Sequence, residues 1–167
     1  GLTEREIDGK IEKIANSLGS DTAYMLRGGY AVLSGRGEII DRCLAELKLY
    51  FLIIAGTDGV SSAAAYKKYD EIGKKYPPHT TEAARAYFAG ETKELAELLK
   101  NDLYPAASEI LPEIKNSLGK LEKFGAASMT GSGSAVFGLY ENKKERDFVY
   151  KILKREYGKR IIKAETI

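Results

Sequence analysis

The sequence is poor in the residues that would commit it to several common chemistries. It has one cysteine, Cys43, so an internal disulfide framework is excluded. A lone thiol fits a reducing compartment and the role of a small, half-buried apolar side chain. The single histidine, His79, sits in a Pro-Pro-His-Thr-Thr segment with no cysteine or carboxylate cluster at metal-ligand spacing. No zinc or di-metal site is legible there, and a solvated ring is expected. Charge of one sign is also scarce. Lys and Arg total 26 against 24 Asp and Glu, leaving +2, too little and too scattered to point to nucleic acid or a membrane surface. The longest apolar run, Leu49 to Ala55, is far too short to cross a bilayer. The first residues are charged and helical in pattern, without the apolar stretch of a signal peptide, so the cytoplasm is the expected location. There is no Walker loop, no GxGxxG ahead of a helix, no internal repeat and no low-complexity tract.

What is present suits a globular protein. At 167 residues with 44% apolar and 30% charged content, the chain fits one domain, or one domain plus a piece of another. It begins with Gly rather than Met, which hints at a tag scar or a start inside a longer protein. Thr3 and Glu6 form a capping box, and Ile7, Ile11, Ile14, Ala15 and Leu18 then fall on one helical face that stops at Gly19. GGYAVLSG and EIIDRC read as two strands joined by a turn at Gly35-Arg36-Gly37. KLYFLIIA, from Lys48 to Ala55, reads as a central strand buried on both faces. Ser61 or Ser62 caps a helix ending near Gly73, and Pro77-Pro78 makes a stiff break. Helices are expected at about 81–89, 91–100 and 103–123, the last split in two at Pro112. A hairpin at 127–140, an amphipathic helix at 142–157 and a strand from Arg160 to Thr166 complete the chain.

After residue 46 the order is β-α-(helical insert)-β-β-α-β. That order predicts an α+β sandwich of ferredoxin-like type, with helices on one face of an antiparallel sheet. Residues 1–45 do not fit inside it. A lone helix plus hairpin cannot bury both of its faces, so this segment is expected to belong to a neighbouring domain.

Several residues could carry chemistry. Asp21 follows a helix C-terminus as either a general base or a cap for the next turn. Ser62 and Tyr66, four apart, share a helix face, and the ring could stack on a planar ligand or pack on the strand before it. MTGSGSAVFGLY, Met129 to Tyr140, holds a glycine-serine loop in which Gly131 and Gly133 permit positive φ and close approach of a bulky group. Its Ser132 and Ser134 add hydroxyls, and consecutive N–H groups there can form an anion-binding nest. Each feature alone has a plain structural reading.

Their order in the chain says more. Gly19-Ser20-Asp21, Gly28-Gly29-Tyr30-Ala31, Gly35-Arg36-Gly37-Glu38, Gly59-Val60-Ser61-Ser62 with Tyr66, Asn101-Asp102-Leu103 and the glycine loop follow one another between about Leu18 and Tyr140. That series resembles the C-terminal part of the 4-diphosphocytidyl-2-C-methyl-D-erythritol kinases, of the GHMP kinase superfamily. The resemblance implies a GHMP C-terminal domain at 46–167, preceded at 1–45 by the end of the ribosomal S5-like N-terminal domain. It also implies an ATP-dependent small-molecule kinase of non-mevalonate isoprenoid biosynthesis, with Mg²⁺ required. Asp21 matches the catalytic aspartate at the substrate's 2-hydroxyl, and Tyr66 an aromatic that stacks on cytosine. Ser62 matches a nearby hydroxyl, Arg36 lies at a turn beside the same pocket, and Gly131, Ser132, Gly133 and Ser134 form the third superfamily motif. The implied partners are a substrate bearing cytidine diphosphate and the enzyme's own N-terminal half, which would bind most of the ATP and Mg²⁺. Without that half, this chain is expected to be inactive. Two departures stand out. Thr22 and Ala23 replace the family's apolar residue and proline, and Ser62 replaces a threonine. The alternatives are another GHMP kinase, of homoserine or mevalonate type, and a non-catalytic ferredoxin-like interaction domain.

Overall fold

A computed structural model of the chain describes residues 4–19, 22–28, 30–37, 39–44, 47–73 and 79–166. The chain divides into two compact units, 1–46 and 47–167. In the first unit, α1 (Glu4–Leu18) packs on α2 (Thr22–Arg27), a short helix that the sequence pattern did not reveal. The N–H of Gly28 closes α2 on the Tyr24 carbonyl at 2.8 Å. Strands β1 (Tyr30–Ser34) and β2 (Ile39–Leu44) then pair antiparallel, with a bulge between Val32 and Leu33. The turn between them carries positive φ at Gly35 (68°) and Gly37 (107°), which is why glycine flanks Arg36. On α1, Ala15 is buried while Ile11, Ile14 and Leu18 stay exposed. Thr3 of the capping box lies outside the described residues.

The second unit is built on β3 (Tyr50–Ile54), β4 (Ala127–Met129), β5 (Val136–Tyr140) and β6 (Ile161–Glu165), all antiparallel in the order β4-β5-β3-β6. With α3 (Ser62–Ile72) after β3 and α8 (Lys143–Tyr157) before β6, this is the βαββαβ sandwich expected from the sequence. Between α3 and β4 lie α4 (Thr80–Ala89), α5 (Thr92–Leu98), α6 (Tyr104–Ile110) and α7 (Glu113–Glu122). The predicted split at Pro112 is present. Pro112 stands between α6 and α7, where its fixed φ suits a helix start and its missing N–H costs nothing.

The core lies between one sheet face and helices α3, α6, α7 and α8. Leu52, Ile54, Val136, Met129 and Ile161 meet Ala65, Ala107, Ile114, Leu121, Val149 and Leu153 there. Strand β3 is central, but its burial differs from expectation. Leu52 and Ile54 are fully buried under the helices, whereas Phe51 and Ile53 on the opposite face are only half-buried. An edge-to-face pair of Phe51 with Phe137, centroids 5.9 Å apart, contributes to that second face.

Candidate functional site

Sheet register decides which loops meet. Ile54, the last residue of β3, pairs with Val136, the first of β5, and with Ile161, the first of β6, while Met129 ends β4 opposite Val136. The segment after β3 (55–61), the β4–β5 loop (130–135) and the turn at 158–160 therefore share one end of the sheet. Residues distant in sequence converge there because antiparallel pairing puts strand ends of opposite sense side by side.

The glycine loop is stitched to the start of α3. Ser132 donates its hydroxyl to the Val60 carbonyl at 3.3 Å, and its oxygen lies 3.1 Å from that of Ser62. With the single Ser132 hydroxyl proton committed to Val60, Ser62 is the donor in that pair. Ser134 donates to the Asp58 carbonyl. The loop closes on itself through the Thr130 N–H to the Ala135 carbonyl (3.1 Å) and the Gly133 N–H to the Thr130 carbonyl (3.0 Å). Gly131 (φ 56°) and Gly133 (φ 91°) both need the left-handed region. A Cβ at Gly133 would also lie 3.0 Å from the Met129 sulfur and 3.1 Å from Ile114 Cδ1. The loop is thus tight on its inner side, as its glycines suggest.

One helical turn beyond Ser62, Tyr66 is 58% exposed. Tyr66 is not part of the core packed on β3. On the other flank, Thr57 donates its backbone N–H (3.2 Å) and its hydroxyl to Glu113, and Arg160 bonds both Glu113 and the Ala55 carbonyl. The Thr57 hydroxyl bond, with help from the Arg160 guanidinium, holds the Glu113 carboxyl below the usual carboxylate range against the opposing effect of its partial burial.

The expected site residues divide as follows. Ser62, Tyr66, Gly131, Ser132, Gly133 and Ser134 gather at one end of the second unit. Arg36 sits exposed at the tip of the β1–β2 turn in the first unit. Asp21, expected to be catalytic, lies outside the described residues, as do Gly29 and Glu38. Among the described residues no three His, Cys, Asp or Glu side chains group so as to hold a metal ion. No described helix is long and apolar enough to cross a membrane.

Sequence reasoning singled out Asn101 as part of the Asn101-Asp102-Leu103 motif without giving it a role, and it missed Glu113 and Arg160. Asn101 donates its amide to the carbonyls of Met129 (2.8 Å) and Gly131 (2.9 Å) and accepts from the Leu103 N–H (2.9 Å). The motif lies directly ahead of α6. Glu113 and Arg160 are 47 residues apart and gave no signal.

Residues 82–159 match the family model described as "GHMP kinases C terminal". Over 141 residues the chain is 34% identical to the 4-diphosphocytidyl-2-C-methyl-D-erythritol kinase of Desulfitobacterium hafniense (strain Y51), covering 83% of this chain and 49% of that protein. It is 34% identical over 160 residues to the kinase of the same name from Caldanaerobacter subterraneus subsp. tengcongensis, covering 93% of this chain and 53% of the relative. A crystal structure of 4-(cytidine 5'-diphospho)-2C-methyl-D-erythritol kinase shares the fold, with TM-score 0.74 at 24% identity over 93% of this chain and 56% of that one. The chain spans about half the length of the curated relatives it matches.

Proposed function

The second unit carries the C-terminal domain of a GHMP kinase, and from that premise we propose that the parent protein phosphorylates the 2-hydroxyl of 4-diphosphocytidyl-2-C-methyl-D-erythritol with ATP. The reading rests on one observation above all: the Ser62 and Ser132 hydroxyls in contact, one helical turn from an exposed Tyr66. A tight glycine loop and an exposed aromatic at one sheet end suit a ligand with a flat base and an anionic diphosphate.

Tyr66 stacks on the cytosine and Ser62 bonds nearby; a substrate-binding role for Arg36, on the first unit, is supported by the resemblance alone. Asp21 orients the tertiary alcohol and takes its proton as the alcohol oxygen bonds to the γ-phosphorus. The bond from that phosphorus to the β,γ-bridging oxygen breaks, and ADP leaves. ATP supplies the phosphoryl group. Its cradle and any Mg²⁺ belong to the N-terminal half of the enzyme, whose domain residues 1–45 complete. The protein works in the cytoplasm, consistent with its lone thiol.

The test is competition by CDP in the full-length protein. Tight uptake of CDP, weakened about tenfold or more in Tyr66→Ala, supports the cytidine assignment, since stacking on a base contributes about 1–3 kcal/mol. Phosphorylation of mevalonate or homoserine with no response to CDP would assign the protein to another GHMP activity.

A further inference from the structure

Asn101, in the segment between α5 and α6, hydrogen-bonds the glycine loop. Its amide nitrogen spends both protons on that loop, one on the Met129 carbonyl at the end of β4 and one on the Gly131 carbonyl inside the turn. Its amide oxygen faces the other way and accepts the Leu103 N–H, while the Tyr104 N–H bonds the Asn101 carbonyl at 3.0 Å and leads into α6. Every polar atom of the carboxamide is engaged, so its orientation is fixed by the bonds themselves.

We propose that Asn101 is a positioning residue that latches the glycine loop in its working shape. Met129 ends the strand and Gly131 starts the left-handed turn, so gripping both carbonyls fixes the angle at which the loop leaves the sheet. That angle sets where Ser132 meets Val60 and Ser62. The side chain reaches the expected site residues through the Gly131 backbone carbonyl. It acts through the loop's backbone.

The chemistry of the amide supplies a sharp test. Asn101→Asp keeps the shape and the acceptor for Leu103 but turns both donors into lone pairs facing two carbonyls. Asn101→Ala removes donor and acceptor together. If the residue only caps the start of α6, the Asp variant behaves like wild type and the Ala variant does not. If it latches the loop, the Asp variant is at least as impaired as the Ala variant.

The functional consequence rests on the kinase reading above, so the experiment has two independent arms. In the full-length protein, the latch predicts a kcat lower by about tenfold or more in Asn101→Asp, with KM for the cytidylyl substrate within about threefold of wild type, because Tyr66 is untouched. Unchanged kcat in Asn101→Asp overturns the positioning role. The second arm needs no turnover and no variant. Through-hydrogen-bond couplings from the Asn101 amide nitrogen to the carbonyl carbons of Met129 and Gly131, read by NMR in the wild-type protein, are expected. Their absence overturns the latch even if the Asp variant fails to fold. Couplings present in a protein without kinase activity would leave the latch standing and remove the kinase reading instead.

Discussion

At the scale of single residues, two side-chain environments make direct predictions. Gly133 has a positive φ, and a Cβ there would press on Met129 and Ile114. Gly133→Ala is expected to destabilise the second unit by about 1–3 kcal/mol in chemical denaturation, since both the backbone region and the space are wrong for alanine. Glu113 is held below its ordinary titration range by Thr57 and Arg160. A depressed folded value means that its stabilising contribution is complete above the unfolded value and is lost as pH falls through the folded one. Urea midpoints at pH 7 and pH 3 should therefore show a smaller acid loss in Glu113→Gln than in wild type. At pH 7 the variant should be less stable by about 0.5–1 kcal/mol, a modest figure because the carboxylate keeps some contact with solvent. The sequence made the glycine legible and left the glutamate silent. A left-handed turn demands a residue without a Cβ, whereas a carboxylate on a helix gives no sign that Thr57 and Arg160 will reach it.

At the scale of elements, caps and periodicity explain what could be read in advance. Helix α8 begins at Asn142, whose side chain accepts the Glu145 N–H at 3.0 Å and donates to the Glu145 carboxylate at 2.9 Å. Helix α3 begins after Ser61, whose side chain makes no capping bond. Asn142→Ala should cost about 1 kcal/mol and Ser61→Ala only a few tenths, a contrast that thermal unfolding of the two variants checks. The end of α3 was also legible, because Gly73 takes the left-handed cap, with φ 66°. Helix α2 was not, because Thr22 to Arg27 is too short to show a period. Strand β3 misled in part: an unbroken apolar run predicts cover on both faces, while helices cover only the Leu52 and Ile54 side. Local pattern reports how apolar a strand is, and tertiary packing decides which face is used.

At the scale of the whole molecule, the first 46 residues make a separate compact unit, and the remainder builds a closed ferredoxin-like sandwich. The order of strands and helices after residue 46 was enough to foresee that sandwich, because right-handed crossovers leave few ways to arrange βαββαβ. The convergence of Ser62, Tyr66 and the glycine loop was foreseen only through resemblance. Nothing in local spacing says that residues 70 apart will touch, as Ser62 and Ser132 do. We propose that this chain forms the substrate-side portion of a phosphotransferase acting on an alcohol. The most direct measurement is ³¹P NMR of the full-length protein with ATP and 4-diphosphocytidyl-2-C-methyl-D-erythritol, comparing wild type with Asp21→Asn. A new phosphomonoester on the 2-oxygen is expected, with a rate lower by roughly a hundredfold or more in the variant. Absence of that product, or an equal rate in Asp21→Asn, would contradict the proposal.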